Sequence, residues 1–215
     1  MSAAPDPAAP PVRGLLIDYG GVLTSNVFAA FRAFSAAEGL DADAVTDRFR
    51  HDRAARDLLK GLEQGDLGDE AFGRRFAALL GLETARADGL VARLFSALRP
   101  DEAMVAAVRR AHDAGLRTGL ISNSWGDGLR YDETLLTEAF DAVVLSHEER
   151  IRKPDPEIFR IGLRRLGVEP RACVFVDDLP FNLPPAEALG MRTLLHRSAD
   201  ETIPQLEALL GIGLA

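Results

Sequence analysis

Apolar residues along this chain are grouped in two ways, and the grouping changes with position. Four short apolar runs, each bounded by turn residues, read as strands buried on both faces. They are Gly14-Leu15-Leu16-Ile17, Thr118-Gly119-Leu120-Ile121, Ala142-Val143-Val144-Leu145 and Ala172-Cys173-Val174-Phe175-Val176. Arg192-Thr193-Leu194-Leu195 is a fifth, less apolar candidate. Helical periodicity fills the spaces between them, over residues 102–114, 131–140, 156–166 and 183–189. Strands alternating with helices of this length predict an α/β fold, a doubly wound, Rossmann-like parallel sheet.

Residues 27–98 break that alternation. No strand pattern occurs there, and apolar residues recur at helical spacing, as in Phe28, Phe31 and Phe34. Gly39, Gly61, Gly65, Gly68 and Gly81 divide the stretch into four or five short helices. The expected organisation is a core of residues 12–26 and 99–215, interrupted after its first strand by a helical insert over 27–98. Residues 1–11, rich in Ala and Pro, are expected to form a disordered tail.

Composition narrows the function classes without naming one. The 215 residues, 47% hydrophobic and 27% charged, suit one domain or one domain with a smaller insertion. A net charge of -8 argues against a nucleic-acid backbone as partner. Small anionic substrates stay open, because a metal and a few placed cations reverse a local potential. The single cysteine, Cys173, excludes an internal disulfide, and its apolar neighbours suggest a buried hydrophobe rather than a reactive thiol. No stretch approaches the roughly 18 consecutive apolar residues of a membrane span, and no signal-peptide pattern opens the chain. A cytoplasmic protein with neither membrane nor nucleic-acid partner is expected. Its oligomeric state, monomer or homodimer, is not set by these features.

In an open parallel sheet, ligands bind beyond the carboxyl ends of the strands. The polar residues that follow each apolar run are therefore the candidates. They are Asp18-Tyr19-Gly20-Gly21, then Ser122-Asn123-Ser124-Trp125, then Arg152-Lys153-Pro154-Asp155, and finally Asp177-Asp178. Taken singly, each has an ordinary explanation as a helix cap or a turn former. Asp177-Asp178 is harder to explain that way, since adjacent carboxylates at the end of a buried strand repel unless a cation compensates. Four such clusters on one rim suit phosphoryl transfer. Two or three carboxylates hold Mg2+, while a hydroxyl, an amide and backbone N–H groups grip phosphate oxygens. A lysine neutralises charge, and a carboxylate nucleophile splits the hydrolysis into two easier steps.

These motifs, in this order, resemble the haloacid-dehalogenase-like superfamily over residues 14–22 and 103–195. Leu120-Ile121-Ser122-Asn123, Arg152-Lys153-Pro154-Asp155-Pro156, Val174-Phe175-Val176-Asp177-Asp178 and Ala188-Leu189-Gly190-Met191 are similar to the N-terminal phosphatase domain of soluble epoxide hydrolases. The resemblance implies a Mg2+-dependent phosphohydrolase acting on a small phosphorylated substrate through an aspartyl-phosphate intermediate. It implies Asp18 as nucleophile and metal ligand, and Lys153 as the catalytic cation. Ser122 and Asn123, with Gly20 and Gly21, would bind the phosphoryl group. The Gly20 carbonyl and the pair Asp177 and Asp178 would complete the metal site, Asp178 directly and Asp177 through water. The insert over 27–98 would be a cap that closes over the site.

One position departs from that pattern. The family's phosphatases usually carry a second Asp two residues after the nucleophile, as general acid and base, and here that residue is Gly20. Such help is worth about 10²–10⁴-fold, so leaving groups of low pKa suffer least. Sugar-1-phosphates, acyl phosphates or aryl phosphates are then expected ahead of simple alkyl phosphates, unless Asp132, His51 or another cap residue supplies the proton. Two other readings compete: a metal-independent 2-haloacid dehalogenase, and a binding or regulatory module that has kept the fold. Retention of Asp177 and Asp178 weighs against the first, and retention of Asp18 and Lys153 against the second. His51, His112, His147 and His196 have no metal-ligand spacing and are expected at the surface or in the cap. Arg48, Arg50, Arg53 and Arg56 interleave with Asp47, Asp52 and Asp57, as on a salt-bridged helix face. Trp125 either lines the pocket or packs beneath its loop.

Overall fold

The computed structural model describes residues 10–126 and 131–214, so residues 1–9 of the expected tail lie outside the described residues. The chain opens with β1 (Gly14–Ile17) and passes through α1 (Val27–Ala37), α2 (Ala44–His51), α3 (Arg53–Glu63), α4 (Asp69–Leu79) and α5 (Leu90–Leu94). Then follow α6 (Glu102–Asp113), β2 (Arg117–Ser122), α7 (Glu133–Glu138), β3 (Ala142–Leu145), α8 (Ser146–Glu149) and α9 (Pro156–Leu166). The last elements are β4 (Cys173–Asp177), α10 (Leu183–Ala188), β5 (Arg192–Leu195) and α11 (Ala199–Leu210).

All five strands are parallel, in the order β3-β2-β1-β4-β5. The chain winds outward from β1 through β2 to β3, then returns to lay β4 on the other side of β1. The winding reverses there, and such a switch point opens a crevice at the strands' carboxyl ends. Alternate strand residues feed two hydrophobic layers, as the pleat requires. Leu15, Ile17, Val174 and Val176 join Met104 and Val108 of α6 and Leu206 of α11. Leu16, Ile121 and Phe175 join Ile158 and Phe159 of α9 and Ala186 of α10. Both faces are covered, which is why the strands read as unbroken apolar runs.

Helix α9 shows how local sequence sets an element. The Asp155 carboxylate accepts from the Glu157 N–H, Pro156 opens the first turn, and Gly167 ends the helix at φ 69°. Helix α11 was not evident from periodicity, because Pro204 stands inside it.

Between β1 and α6 lie five α-helices. An isolated antiparallel bridge between Thr24 and Pro100 closes the base of this insert. The Ser25 N–H donates to the Arg99 carbonyl at 2.7 Å, and the Asp101 N–H to the Leu23 carbonyl at 2.9 Å. Phe31, Phe72, Phe76 and Leu90 of the insert share one buried cluster with Leu15 and Ile17 of the sheet. The interleaved Arg/Asp stretch is two helices rather than one face. Asp52 is extended and accepts from the Ala54 and Ala55 N–H groups, so it caps α3. Among the described residues, no helix is long and apolar enough to cross a membrane.

Candidate active site

Strands β1 and β4 are neighbours in register, with Ile17 opposite Val176, so the residues that follow them meet. One carboxylate oxygen from each of Asp18, Asp177 and Asp178 lies within 4.8 Å of the others. Lys153 enters from the loop before α9 and is fully buried. Its Nζ is 2.7 Å from Asp18 Oδ1 and 2.7 Å from Asp177 Oδ2. Three carboxylates against one ammonium leave net negative charge in a buried place.

The oxygens are not equally committed. Asp177 Oδ1 accepts from the Leu179 N–H and the Asn182 amide, and Oδ2 accepts from Lys153 and the same amide. Asp18 Oδ1 accepts from the Tyr19 N–H at 2.7 Å as well as facing Lys153. Asp18 Oδ2 and the Asp178 carboxylate have no side-chain hydrogen-bond donor among the described residues. A divalent cation therefore fits this donor set. Oxygen ligands are what Mg2+ takes, and the two open carboxylates are the ones free to hold it.

Burial, reinforced by the charges of Asp177 and Asp178, raises the Asp18 carboxyl well above the carboxylate range despite Lys153. Burial and Asp177 push Asp178 up to about 6. Burial would lower Lys153, but Asp177 and Asp18 outweigh it and hold the ammonium above its ordinary value. A further cation at this cluster would reverse the shifts of the acids.

The remaining predicted residues divide. Ser122 ends β2 beside this cluster, buried, with its Oγ 3.0 Å from the Tyr131 hydroxyl. Asn123 turns its amide to the lysine loop: Nδ2 donates to the Lys153 carbonyl at 3.1 Å, and Oδ1 accepts from the Lys153 N–H at 2.8 Å. The side chain thus positions Lys153, where a phosphate contact was expected. Gly21 needs a similar correction. Its N–H donates to Thr24 Oγ1 at 3.0 Å inside the turn and is not free for phosphate. Its backbone is left-handed, φ 79°, and a Cβ there would stand 2.3 Å from Asp178 Oδ2. Glycine at this position makes room for the second acid.

A cavity of about 580 Å3 opens over the cluster, lined by Asp18, Gly20, Ser122, Asn123, Lys153 and Asp178. Asp177 and Gly21 stand behind that lining. Neither Asp132 nor His51 lines this cavity. Asp132 instead caps α7 through the Leu135 N–H, and its own N–H donates to the Tyr19 hydroxyl.

Sequence reasoning missed several residues here. Arg50, assigned to a salt-bridged face, lines the cavity, while Arg48 and Arg53 do pair with Asp52 and Asp57. Glu63, at the end of α3, is buried in the lining, and burial pushes its carboxyl up to about 7. Its Oε2 lies 2.8 Å from Arg152 Nη1, close enough for an ion pair but without hydrogen-bond alignment. Tyr131 was read only as the start of a helix. Trp125 lines the cavity and packs edge-on to Phe95 of the insert at 4.9 Å. Cys173 is fully buried, and burial raises its thiol to about 12.

Known proteins are similar to this chain in sequence and in fold. The family model described as haloacid dehalogenase-like hydrolase matches residues 12–190. The chain is 29% identical over 211 residues to acyl-CoA dehydrogenase family member 10 of Mus musculus, covering 94% of this chain and 19% of that protein. It is 35% identical over 106 residues to bifunctional epoxide hydrolase 2 of Sus scrofa, covering 46% of this chain and 19% of that one. The chain thus spans about a fifth of the length of these two relatives. A fructose-1-phosphate phosphatase of Escherichia coli is 39% identical over 56 residues, 26% of this chain and 30% of that protein. Among solved structures, a predicted HAD-like hydrolase from Porphyromonas gingivalis superposes with TM-score 0.72 at 24% identity, covering 93% of this chain and 98% of that one. L-2-haloacid dehalogenase from Xanthobacter autotrophicus shares the fold with TM-score 0.60 at 22% identity, over 95% of this chain and 84% of that one. With most of its length matched and its acidic cluster on the shared sheet rim, the chain belongs to the haloacid dehalogenase-like hydrolases.

Proposed function

We propose that this hydrolase is a Mg2+-dependent phosphohydrolase of small phosphorylated substrates, with Asp18 as covalent nucleophile. The observation that carries this reading is the meeting of Asp18, Asp177 and Asp178 around a buried Lys153, with carboxylate oxygens left open. One Asp18 carboxylate oxygen attacks phosphorus while the Tyr19 N–H and Lys153 hold the group in place. Lys153 draws charge from the phosphoryl oxygens, and Ser122 Oγ, oriented by Tyr131, donates to one of them. Asp18, Asp178 and the Gly20 carbonyl would hold the Mg2+, with Asp177 behind them as an anchored partner. When bound, the ion supplies positive charge that lets an anionic nucleophile approach an anionic phosphoryl group. The insert acts as the cap, its helices closing the cavity against water.

The chain's likeness to a phosphatase from Escherichia coli supports this reading. The meeting of two further carboxylates with Asp18 favours a metal-dependent phosphohydrolase over a metal-independent dehalogenase. The test is hydrolysis of a phosphate-ester panel with Mg2+, with EDTA, and by Asp18→Asn. We expect turnover that EDTA abolishes and that Asp18→Asn lowers by roughly 10⁴-fold or more. Metal-independent halide release from 2-chloropropionate, with inert phosphate esters, would reject it.

A further inference from the structure

Two features of the cavity point the same way, and together they narrow the substrate class. The first is Gly20, which removes the usual proton donor for the leaving group. The second is the apolar part of the cavity lining. Phe28, Phe49, Leu59, Leu98, Leu179 and Phe181 form it, none of them fully buried, and Phe181 is 54% exposed. Exposed apolar surface inside a cavity that also holds reactive groups is surface for a ligand to cover.

The polar side chains in the lining are mostly spoken for. The Asn123 amide is bound at both ends to the Lys153 backbone, and Glu63 and Arg152 face each other at 2.8 Å. Thr46, Arg50 and Asn182 Oδ1, which has no hydrogen-bond partner among the described residues, are what remains beyond the phosphate-binding end. A sugar would bring several hydroxyls against the apolar side chains, where most of their hydrogen bonds to water would go unreplaced. An apolar ring loses nothing there.

Resting on the phosphohydrolase reading above, we propose that the substrate is an aryl phosphate, a phosphomonoester of a phenol whose ring seats against the Phe28–Phe49–Phe181 wall. The chemistry closes without an acid at residue 20. An Asp18 carboxylate oxygen bonds to phosphorus as the bond from phosphorus to the aryl oxygen breaks, and the aryloxide departs with the electron pair. A phenol has a pKa of about 10, so its oxide leaves unprotonated and takes its proton from water afterwards. An alkoxide, about as basic as the conjugate base of water with its pKa of about 15.7, requires the missing donor. Water then cleaves the aspartyl-phosphate, releasing inorganic phosphate and restoring the carboxylate.

The experiment compares kcat/KM, in Mg2+, for 2-naphthyl phosphate, glucose 1-phosphate, acetyl phosphate and cyclohexyl phosphate. Acetyl phosphate has a good leaving group but no body to reach the wall, so it reports the chemistry alone. The expected result is 2-naphthyl phosphate ahead of glucose 1-phosphate by about 100-fold and ahead of cyclohexyl phosphate by at least as much. Phe181→Ala, a change at an exposed position, should narrow the ratio of naphthyl to acetyl phosphate by about fivefold to tenfold. Phe28→Ala provides a second, independent reading of the same ratio. Brisk acetyl phosphate turnover with naphthyl phosphate no better than glucose 1-phosphate overturns this inference and leaves the phosphohydrolase standing. A ratio unmoved by both substitutions overturns it too. Inertness toward all four esters removes the phosphohydrolase reading and this one with it.

Discussion

The two walls of the cavity are built on opposite principles. On the sheet side, Asp18, Ser122 and Asp177 sit at the ends of strands, and hydrogen bonds to named partners set their positions. Asp177 alone accepts four hydrogen bonds. On the insert side, position is set by rings. Phe49 stacks on Phe76 at 4.7 Å and 4°, and Phe31, Phe72 and Phe95 surround Trp125 with centroids between 4.9 and 5.9 Å. Directional bonds hold atoms to the tolerance that chemistry needs. Ring packing conserves volume and tolerates exchange, which suits a wall that decides what enters. The contrast implies that damage to the rim lowers kcat for every substrate, whereas damage to the insert moves KM and does so selectively.

Lys153→Met is the hardest blow to the rim. It leaves Asp18 and Asp177 buried without their cation, which costs about 3–5 kcal/mol of stability, and kcat should fall by about 10³-fold for all substrates. Urea unfolding and steady-state kinetics read the two effects, and a loss confined to one substrate would contradict the division. Gly21→Ala tests the rim more gently. Its methyl group would press on Asp178 Oδ2, so the Mg2+ concentration for half-maximal activity should rise about 10–100-fold with kcat nearly restored at saturation. Titration of activity with Mg2+ decides this.

Arg50→Ala probes the insert. Arg50 is exposed and, among the described residues, has no ion-pair partner, so its charge is free to draw an anion toward the cavity. A KM raised about threefold to tenfold, with kcat unchanged and the difference shrinking above about 0.5 M salt, is the expected pattern. A fall in kcat would place Arg50 with the rim instead. The smallest effect concerns Glu63. Its carboxyl is raised from 4.5 to about 7 in the fold, so between those values the native state holds a proton that the unfolded chain releases. Stability contributed by this group therefore declines as pH rises from 4.5 to 7. Glu63→Gln should flatten the fall of Tm over that window, without abolishing it, since Asp178 is shifted in the same sense.

Strand positions and the acid cluster were legible from residue order because they depend on local rules. An apolar run covered on both faces looks the same wherever it occurs, and polar residues at its carboxyl end reach the rim of a parallel sheet. Thus Gly14–Ile17, Ala142–Leu145 and Arg192–Leu195 were placed from pattern alone, and Asp18 and Asp177 with them. What tertiary structure decided was partnership. Whether Asn123 grips phosphate or a backbone 30 residues away, and whether Gly21 offers an N–H or a space, depends on which loops the sheet order brings together. Arg50 looked paired because charge alternation is a local signal, yet in the fold its side chain meets the cavity. Hydrophobic periodicity fixes which face of an element is buried. It carries no record of which distant polar atom completes each hydrogen bond, and the site is made of those completions.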